Sequence, residues 1–156
     1  MAKEIERKFL VEGEGWRRNV ARKERLRDGI VAFGDGRKVR VRYDGTRATL
    51  TVKGPRRGIS RDEFEYEIPP GDARVLLEEH CSGEIREKTR HHLFHDGQEW
   101  TIDEYHGALS GILLAEIELT SEEARFARPP WLGREISGLT ELRRTALAGL
   151  DRAAGG

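Results

Sequence analysis

The feature that most constrains this chain is a two-residue periodicity, in which charged and apolar residues alternate through one segment after another. Successive side chains of a strand point to opposite faces, so this alternation specifies strands with one charged and one apolar face and conflicts with the 3.6-residue period of a helix. Glu4, Glu6 and Lys8 share one side against Ile5 and Phe9, with Arg7 the exception on the apolar side. Lys38, Arg40 and Arg42 oppose Val39, Val41 and Tyr43, while Thr49, Thr51 and Lys53 oppose Leu50 and Val52. The Gly54-Pro55 break reads as a hairpin connection, after which Glu63, Glu65 and Glu67 oppose Phe64, Tyr66 and Ile68. Lys88, Arg90 and His92 share a face; Thr101 and Asp103 oppose Trp100 and Ile102, and Glu116 and Glu118 oppose Ile117 and Leu119. The stretch from Asp28 to Phe33 reads as one more strand.

An ordinary antiparallel sheet turns its polar face to water, so any one of these strands is unremarkable. The set is not, because the charged faces segregate by sign: Glu4/Glu6, Glu63/Glu65/Glu67 and Glu116/Glu118 are acidic, Lys38/Arg40/Arg42 and Lys88/Arg90 basic. Like charges two apart on one strand lie within roughly 7 Å and repel unless a counter-ion or ligand lies between them. If the sheet closes with this face inward, the interior becomes a cationic tunnel with a carboxylate cluster.

Helical signals are sparser. The best covers Asp72 to His80, with Asp72 as N-cap and Gly83 just past the end. A second helix is expected from Thr120-Ser121-Glu122-Glu123, where Thr120 and Glu123 have capping-box spacing. Weaker patterns predict helices over Trp16 to Arg25 and Glu141 to Leu150.

The 156 residues suit one domain, expected over 1–150 with a frayed tail at 151–156. Charged residues make up 36% and apolar residues 37%, and Lys plus Arg (28) balances Asp plus Glu (28). That balance removes the bulk attraction of a nucleic-acid or anionic-membrane binder, so neither partner is expected. The lone Cys81 excludes an internal disulfide, and no apolar run approaches a membrane span or signal segment. A cytoplasmic protein is expected, with homodimerisation left open.

A hard divalent cation such as Mg²⁺ or Mn²⁺ takes oxygen ligands, commonly a few carboxylates with water and substrate phosphates, and Glu4, Glu6, Glu116 and Glu118 can supply them. A polyphosphate needs several Lys and Arg groups along its length, which Lys8, Arg40, Arg42, Lys53, Lys88 and Arg90 provide. Metal and guanidinium charge would together offset the charge on a transferring phosphoryl group, with no protein nucleophile needed.

Glu4-Ile5-Glu6-Arg7-Lys8 resembles the ExExK signature of the CYTH superfamily, the triphosphate tunnel metalloenzymes. Val39-Arg40-Val41-Arg42, Thr51-Val52-Lys53, Ser60-Arg61-Asp62-Glu63-Phe64-Glu65, Glu87-Lys88-Thr89-Arg90, Trp100-Thr101-Ile102-Asp103 and Ala115-Glu116-Ile117-Glu118-Leu119 follow in the order of that family's strand motifs, from about residue 2 to residue 135. The resemblance implies a mainly β, α+β fold: a closed eight-stranded antiparallel barrel, or tunnel, with a few helices packed outside. It also implies a bound Mg²⁺ or Mn²⁺ and a small-molecule triphosphate or polyphosphate substrate. Carried over by position, Glu4, Glu6 and Glu118 match direct metal ligands, and Glu116 a further or water-mediated one. Lys8, Arg40, Arg42, Lys53, Lys88 and Arg90 match phosphate-contacting bases. Lys88, Glu63 and Glu65 are the candidate catalytic groups, the two glutamates either holding basic side chains or orienting an attacking water.

Two departures stand out. Ile30 replaces the Tyr that close relatives often carry, and Glu141-Leu142-Arg143-Arg144 replaces a Lys/Arg-Tyr-Lys-Asn type of sequence, with Arg143 or Arg144 as a substitute for the missing lysine.

Other features read more plainly. His91, His92 and His95 lack zinc-site spacing and read as surface or rim residues, His92 being the one on the tunnel face. Gly34-Asp35-Gly36-Arg37-Lys38 reads as a hairpin tip and Cys81 as a small buried residue. Trp131 reads as an anchor of its loop, and Arg17, Arg18, Arg22, Lys23, Arg25 and Arg27 as a solvated helix face. The expected activity is hydrolysis of a triphosphate, inorganic triphosphate first. The competing readings are a class IV-type adenylyl cyclase, which would also have to hold adenine, and a non-catalytic polyphosphate-binding module.

Overall fold

A computed structural model describes residues 3–137. The eight expected segments all form strands, and a ninth that the sequence reading did not identify follows them: β1 Lys3–Val11, β2 Val20–Gly34, β3 Arg37–Tyr43, β4 Ala48–Lys53, β5 Ser60–Ile68, β6 Ser82–His95, β7 Gln98–Tyr105, β8 Leu113–Glu118 and β9 Leu132–Glu135. They are hydrogen-bonded in the order β5-β4-β3-β2-β6-β7-β8-β1-β9, every pair antiparallel. A further β5–β1 pairing closes the first eight strands into a barrel and leaves β9 outside. Strand β1 makes the closure by dividing one edge between two partners. Lys3 to Ile5 pair with β5, while Phe9 and Val11 pair with β9. Its other edge, Glu6 to Leu10, pairs with β8.

Hairpin chemistry sets the register. Asp35 and Gly36 both have positive φ (50° and 76°) between the paired Gly34 and Arg37, and Asp96 and Gly97 (51° and 76°) repeat this between His95 and Gln98. Two-residue loops with both φ positive match the right-handed twist of the flanking strands, and Asp-Gly tolerates that backbone.

The apolar core lies on the outer surface of the barrel. Phe9, Leu93, Trp100, Ile102, Ala115 and Ile117 are almost fully buried, covered by Trp16, Leu119, Phe126 and Trp131. Trp100 meets Phe9, Phe126 and Trp131 edge-on at centroid distances of 5.8, 5.4 and 5.4 Å. This explains Arg7, the apparent exception to the alternation. It is on the outer face, its guanidinium forked onto Glu135 at 2.7 and 2.5 Å and lying 5.0 Å from the centroid of Phe126. On the other side, α1 (Pro70–Glu79) packs Ala73 and Leu77 against Val41 and Ala48. Gly29 permits that approach: a Cβ there would lie 2.5 Å from Cys81 Sγ, 2.9 Å from Ile85 Cδ1 and 3.0 Å from Leu77 Cδ2.

The helix expectations need correction. Among the described residues there is one α-helix, with 3₁₀ turns at Gly15–Asn19 and Gly107–Leu109. The α1 N-cap is Pro69 and not Asp72, with Pro70 at the helix start, where a missing N–H costs nothing. His80 is its C-cap, and Gly83 already belongs to β6. Trp16 to Arg25 is not a helix: after the 3₁₀ turn the chain extends as β2, whose backbone bonds to β6 from Val20 onward outweigh local propensity. The basic run is accordingly a largely exposed strand face and turn. No helix follows Thr120. Glu122 accepts a hydrogen bond from Ser60 Oγ at 2.6 Å, and residues 119–131 lie as an irregular cover that docks Leu119, Phe126 and Trp131. The expected helix at Glu141 to Leu150, Arg143, Arg144 and the tail lie outside the described residues. No helix among those described is long and apolar enough to cross a membrane.

Candidate active site in the barrel interior

Directly opposed residues in an antiparallel pair share a face, so the register alone assembles the interior. Glu6 faces Glu118 and Lys8 faces Glu116 between β1 and β8; Lys53 faces Glu63 and Thr51 faces Glu65 between β4 and β5. Arg42 faces Asp28 between β3 and β2, and Arg90 faces Asp103 between β6 and β7. Other contacts span the interior. Lys53 Nζ reaches past β5 to Glu4 Oε1 at 3.4 Å while holding Glu63 Oε2 at 3.2 Å, and Arg40 reaches past β4 to Glu65 at 3.9 Å. The structure thus brings together all of Glu4, Glu6, Lys8, Arg40, Arg42, Lys53, Glu63, Glu65, Lys88, Arg90, Glu116 and Glu118 on the inner face. Glu65 and Glu118 are the most exposed, toward the rim.

The acidic side is electrostatically unrelieved. Lys8 Nζ lies 3.0 Å from Glu6 Oε1 and 3.4 Å from Glu116 Oε1, bridging two carboxylates with one charge. Burial, followed by the repulsion of Glu116 and Glu4, pushes the Glu6 carboxyl up to about 7 despite Lys8 and Lys53. Glu118 is also raised, by burial and by Glu4 and Glu6. Glu6 Oε1 and Glu63 Oε2 are buried without a hydrogen-bond partner. Among the described residues no three carboxylates or imidazoles close into a ready-made ligand cage, since ammonium groups sit between them. Oxygen-only donors that repel one another fit a hard divalent cation, which would take the place of those lysines.

The basic side is ordered by two aspartates. Asp28 receives both arms of Arg42 at 2.7 and 2.8 Å, and Asp103, fully buried, receives both arms of Arg90 at 2.8 and 2.9 Å and Lys88 Nζ at 2.7 Å. Lys88 also lies 3.6 Å from Asp28 and 5.5 Å from the Tyr105 ring centroid. Burial alone would raise both aspartates, but the Arg42 fork holds Asp28 far below the usual carboxylate range, and Lys88 with Arg90 holds Asp103 down. Arg40 has no such partner. Burial and then Arg42 lower its pKa, and its Nε is buried without a hydrogen bond. Burial and then Arg40 likewise lower that of Lys53. Beyond Lys8 and Glu116 the inner face turns apolar: Leu10 opposes Leu114, clustered with Tyr105, Ile112 and Ile136.

Sequence reasoning did not assign Asp28, Asp103 or Arg56 to the site. Asp103 had the right parity beside Thr101, and Asp28 was placed on a strand, but neither face carried a visible charge series. Arg56 is in the β4–β5 connection, where no periodicity reports orientation. His92 takes its expected inward face, its Nδ1 2.8 Å from Glu99 and its Nε2 2.6 Å from Glu24. His91 lies on the outer side, against Trp16 and Glu104.

The fold is a closed antiparallel barrel whose interior is divided between an acidic and a basic wall. The CYTH domain family model matches residues 2–153, and the chain belongs to that family. It is 44% identical over 138 residues to an inorganic triphosphatase of Acetivibrio thermocellus, covering 88% of both chains. It is 36% identical over 151 residues to an inorganic triphosphatase of Nitrosomonas europaea, covering 93% of this chain and 96% of that one. A crystal structure of an inorganic triphosphatase superposes with a TM-score of 0.60 at 34% identity, covering 93% of this chain and 97% of the other.

Proposed function

We propose that this protein hydrolyses inorganic triphosphate to pyrophosphate and orthophosphate inside the barrel, in the cytoplasm and with Mg²⁺ or Mn²⁺. The observation that carries this reading is the division of one interior into a wall of mutually repelling carboxylates and a wall of cations, one of which, Arg40, is held only by a 3.9 Å ion pair to Glu65. Glu4, Glu6 and Glu118 hold the metal directly and Glu116 directly or through water. When bound, the metal neutralises phosphate charge and stabilises the transition state.

Lys8, Arg40, Arg42, Lys53, Lys88 and Arg90 bind the phosphates, with Arg42 and Arg90 pre-oriented by Asp28 and Asp103 so that little is spent on ordering them. Water attacks the terminal phosphorus, the bridging P–O bond breaks, and the charge that develops on the departing pyrophosphate is met by these bases. The water proton passes to Glu63, whose buried Oε2 makes no hydrogen bond and lies 3.2 Å from Lys53. Lys88 orients the terminal phosphoryl group opposite. Glu65 accepts a hydrogen bond from Thr51 Oγ1 at 3.2 Å and positions Arg40.

The test is phosphate release from inorganic triphosphate, ATP and thiamine triphosphate with Mg²⁺ or Mn²⁺, with cyclic AMP measured in parallel. Turnover of inorganic triphosphate above the others is expected. No turnover of any substrate with either metal would refute the enzyme and leave a binding module; cyclic AMP as the main product would redirect the reading to a cyclase.

A further inference from the structure

The contact that the barrel strands do not explain belongs to Arg56. Its segment, between β4 and β5, is pinned at every side of that residue. Gly54 N–H donates to Asp62 O at 2.9 Å, Arg57 and Ser60 exchange backbone hydrogen bonds at 2.7 and 3.1 Å, and Ile59 O accepts from Glu6 N–H at 3.2 Å. Arg61, itself buried, ties Gly54 O (2.7 Å) and Gly36 O (3.3 Å), fastening the β4–β5 connection to the β2–β3 turn. The segment leaves the barrel immediately after Lys53, three residues before Arg56. Its side chain is only 17% exposed and points inward, placing Nη2 3.7 Å from Glu6 Oε1. That distance is an ion pair and not a hydrogen bond, and Glu6 Oε1 stays without a hydrogen-bond partner. A fixed backbone therefore carries a long side chain held only loosely at its charged end.

We propose that Arg56 is a metal-displaced phosphate clamp: it rests in a loose ion pair on Glu6 while the carboxylate cluster holds no divalent ion, and it turns onto the terminal phosphate of the substrate once Glu6 coordinates one. This rests on the triphosphate-hydrolase reading above. Lys8 Nζ already lies 3.0 Å from Glu6 Oε1 and Arg56 Nη2 only 3.7 Å, so a divalent ion arriving at that oxygen would displace the looser, more distant guanidinium. The strongest acceptors then within reach of the anchored loop are the phosphate oxygens, which a guanidinium can engage with two parallel hydrogen bonds. An arginine contributed by a loop differs from the strand bases in engaging only when metal and substrate are both present.

The experiment compares Arg56→Ala, Arg56→Lys and, as a control on the same loop, the exposed Arg57→Ala. Mn²⁺ alone is titrated into each protein, and KM and kcat for inorganic triphosphate are measured separately. Arg56→Ala is expected to bind Mn²⁺ more tightly, by roughly threefold to tenfold, because a competing cation is gone, and to raise KM about tenfold with a smaller change in kcat. Arg56→Lys should recover part of both effects and Arg57→Ala neither. Opposite signs in the two titrations separate this role from a structural one, which would weaken both together. Unchanged or weaker Mn²⁺ binding by Arg56→Ala, or an unchanged KM, overturns the clamp while leaving the hydrolase reading intact. A native protein that binds neither Mn²⁺ nor triphosphate overturns both.

Discussion

Replacing Glu6 by glutamine removes one charge from the centre of the acidic wall, and its effect on stability can be worked out from the structure. Burial, Glu116 and Glu4 push the Glu6 carboxyl from 4.5 up to about 7 in the fold, net of the opposing pull of Lys8 and Lys53. The native state therefore binds this proton more tightly than the unfolded chain does, so stability falls as pH rises from the unfolded value through the native one, and the full cost is present above it. At 1.36 kcal/mol per unit, the ceiling on that cost is about 3 kcal/mol. The attraction of Lys8 and Lys53 is already contained in that figure, and relaxation of the partly solvated cluster lowers the expected net gain to roughly 1–2 kcal/mol, or roughly 3–6 °C in Tm for a chain of this size. The assay is thermal unfolding in chelator at about pH 4 and about pH 7.5, where Glu6→Gln should nearly match the native protein at the lower pH and exceed it at the higher. Adding Mn²⁺ at the higher pH should stabilise the native protein and not the variant, and turnover should be lost in a protein that remains folded. If Glu6→Gln melts no higher than the native protein at the higher pH, the carboxylates are not in unrelieved repulsion and the argument for a cation site fails.

Three further outcomes test the rest of the interior and its support. Arg42→Ala should raise KM for triphosphate by at least about tenfold, while Arg18→Ala, exposed on the outer turn, should leave it unchanged; equal effects in steady-state kinetics would count against an inward-facing basic wall. Asp103→Asn keeps the shape but leaves Arg90 and Lys88 uncompensated beside a fully buried amide, a loss of about 3–5 kcal/mol readable by urea titration. Gly29→Ala drives a methyl group into Cys81, Ile85 and Leu77 under α1 and should cost about 1–3 kcal/mol in the same titration. A neutral result there would mean that α1 can shift away without loss.

How much was legible beforehand varies with the kind of signal. Every strand carrying a charge series was found, because alternation is a local property that backbone pleating converts directly into a face. Helix expectations fared worse. The capping-box spacing at Thr120 and Glu123 is real, but Glu122 bonds Ser60 from a distant strand and the apolar side chains that follow are claimed by the outer core. Likewise Trp16 to Arg25 carries helix-compatible residues, yet from Val20 onward its backbone is taken up by pairing with β6.

By itself the sequence determined that this chain would form strands with sorted charges, with paired Asp-Gly turns at two hairpins, and that any closure would have to choose which face to enclose. Only the tertiary structure decided that choice. The apolar faces could be covered from outside by residues 119–131, the 3₁₀ turn and α1, so the charged faces turned inward, where the cross-strand register pairs most of them and ligand binding can satisfy the rest. It also supplied what no periodicity encodes. Asp28 and Asp103 act as the fixed counter-ions of the basic wall because antiparallel register sets them opposite Arg42 and Arg90, and Arg56 reaches Glu6 because backbone hydrogen bonds to Asp62 and from Glu6 hold its loop against β5 and β1.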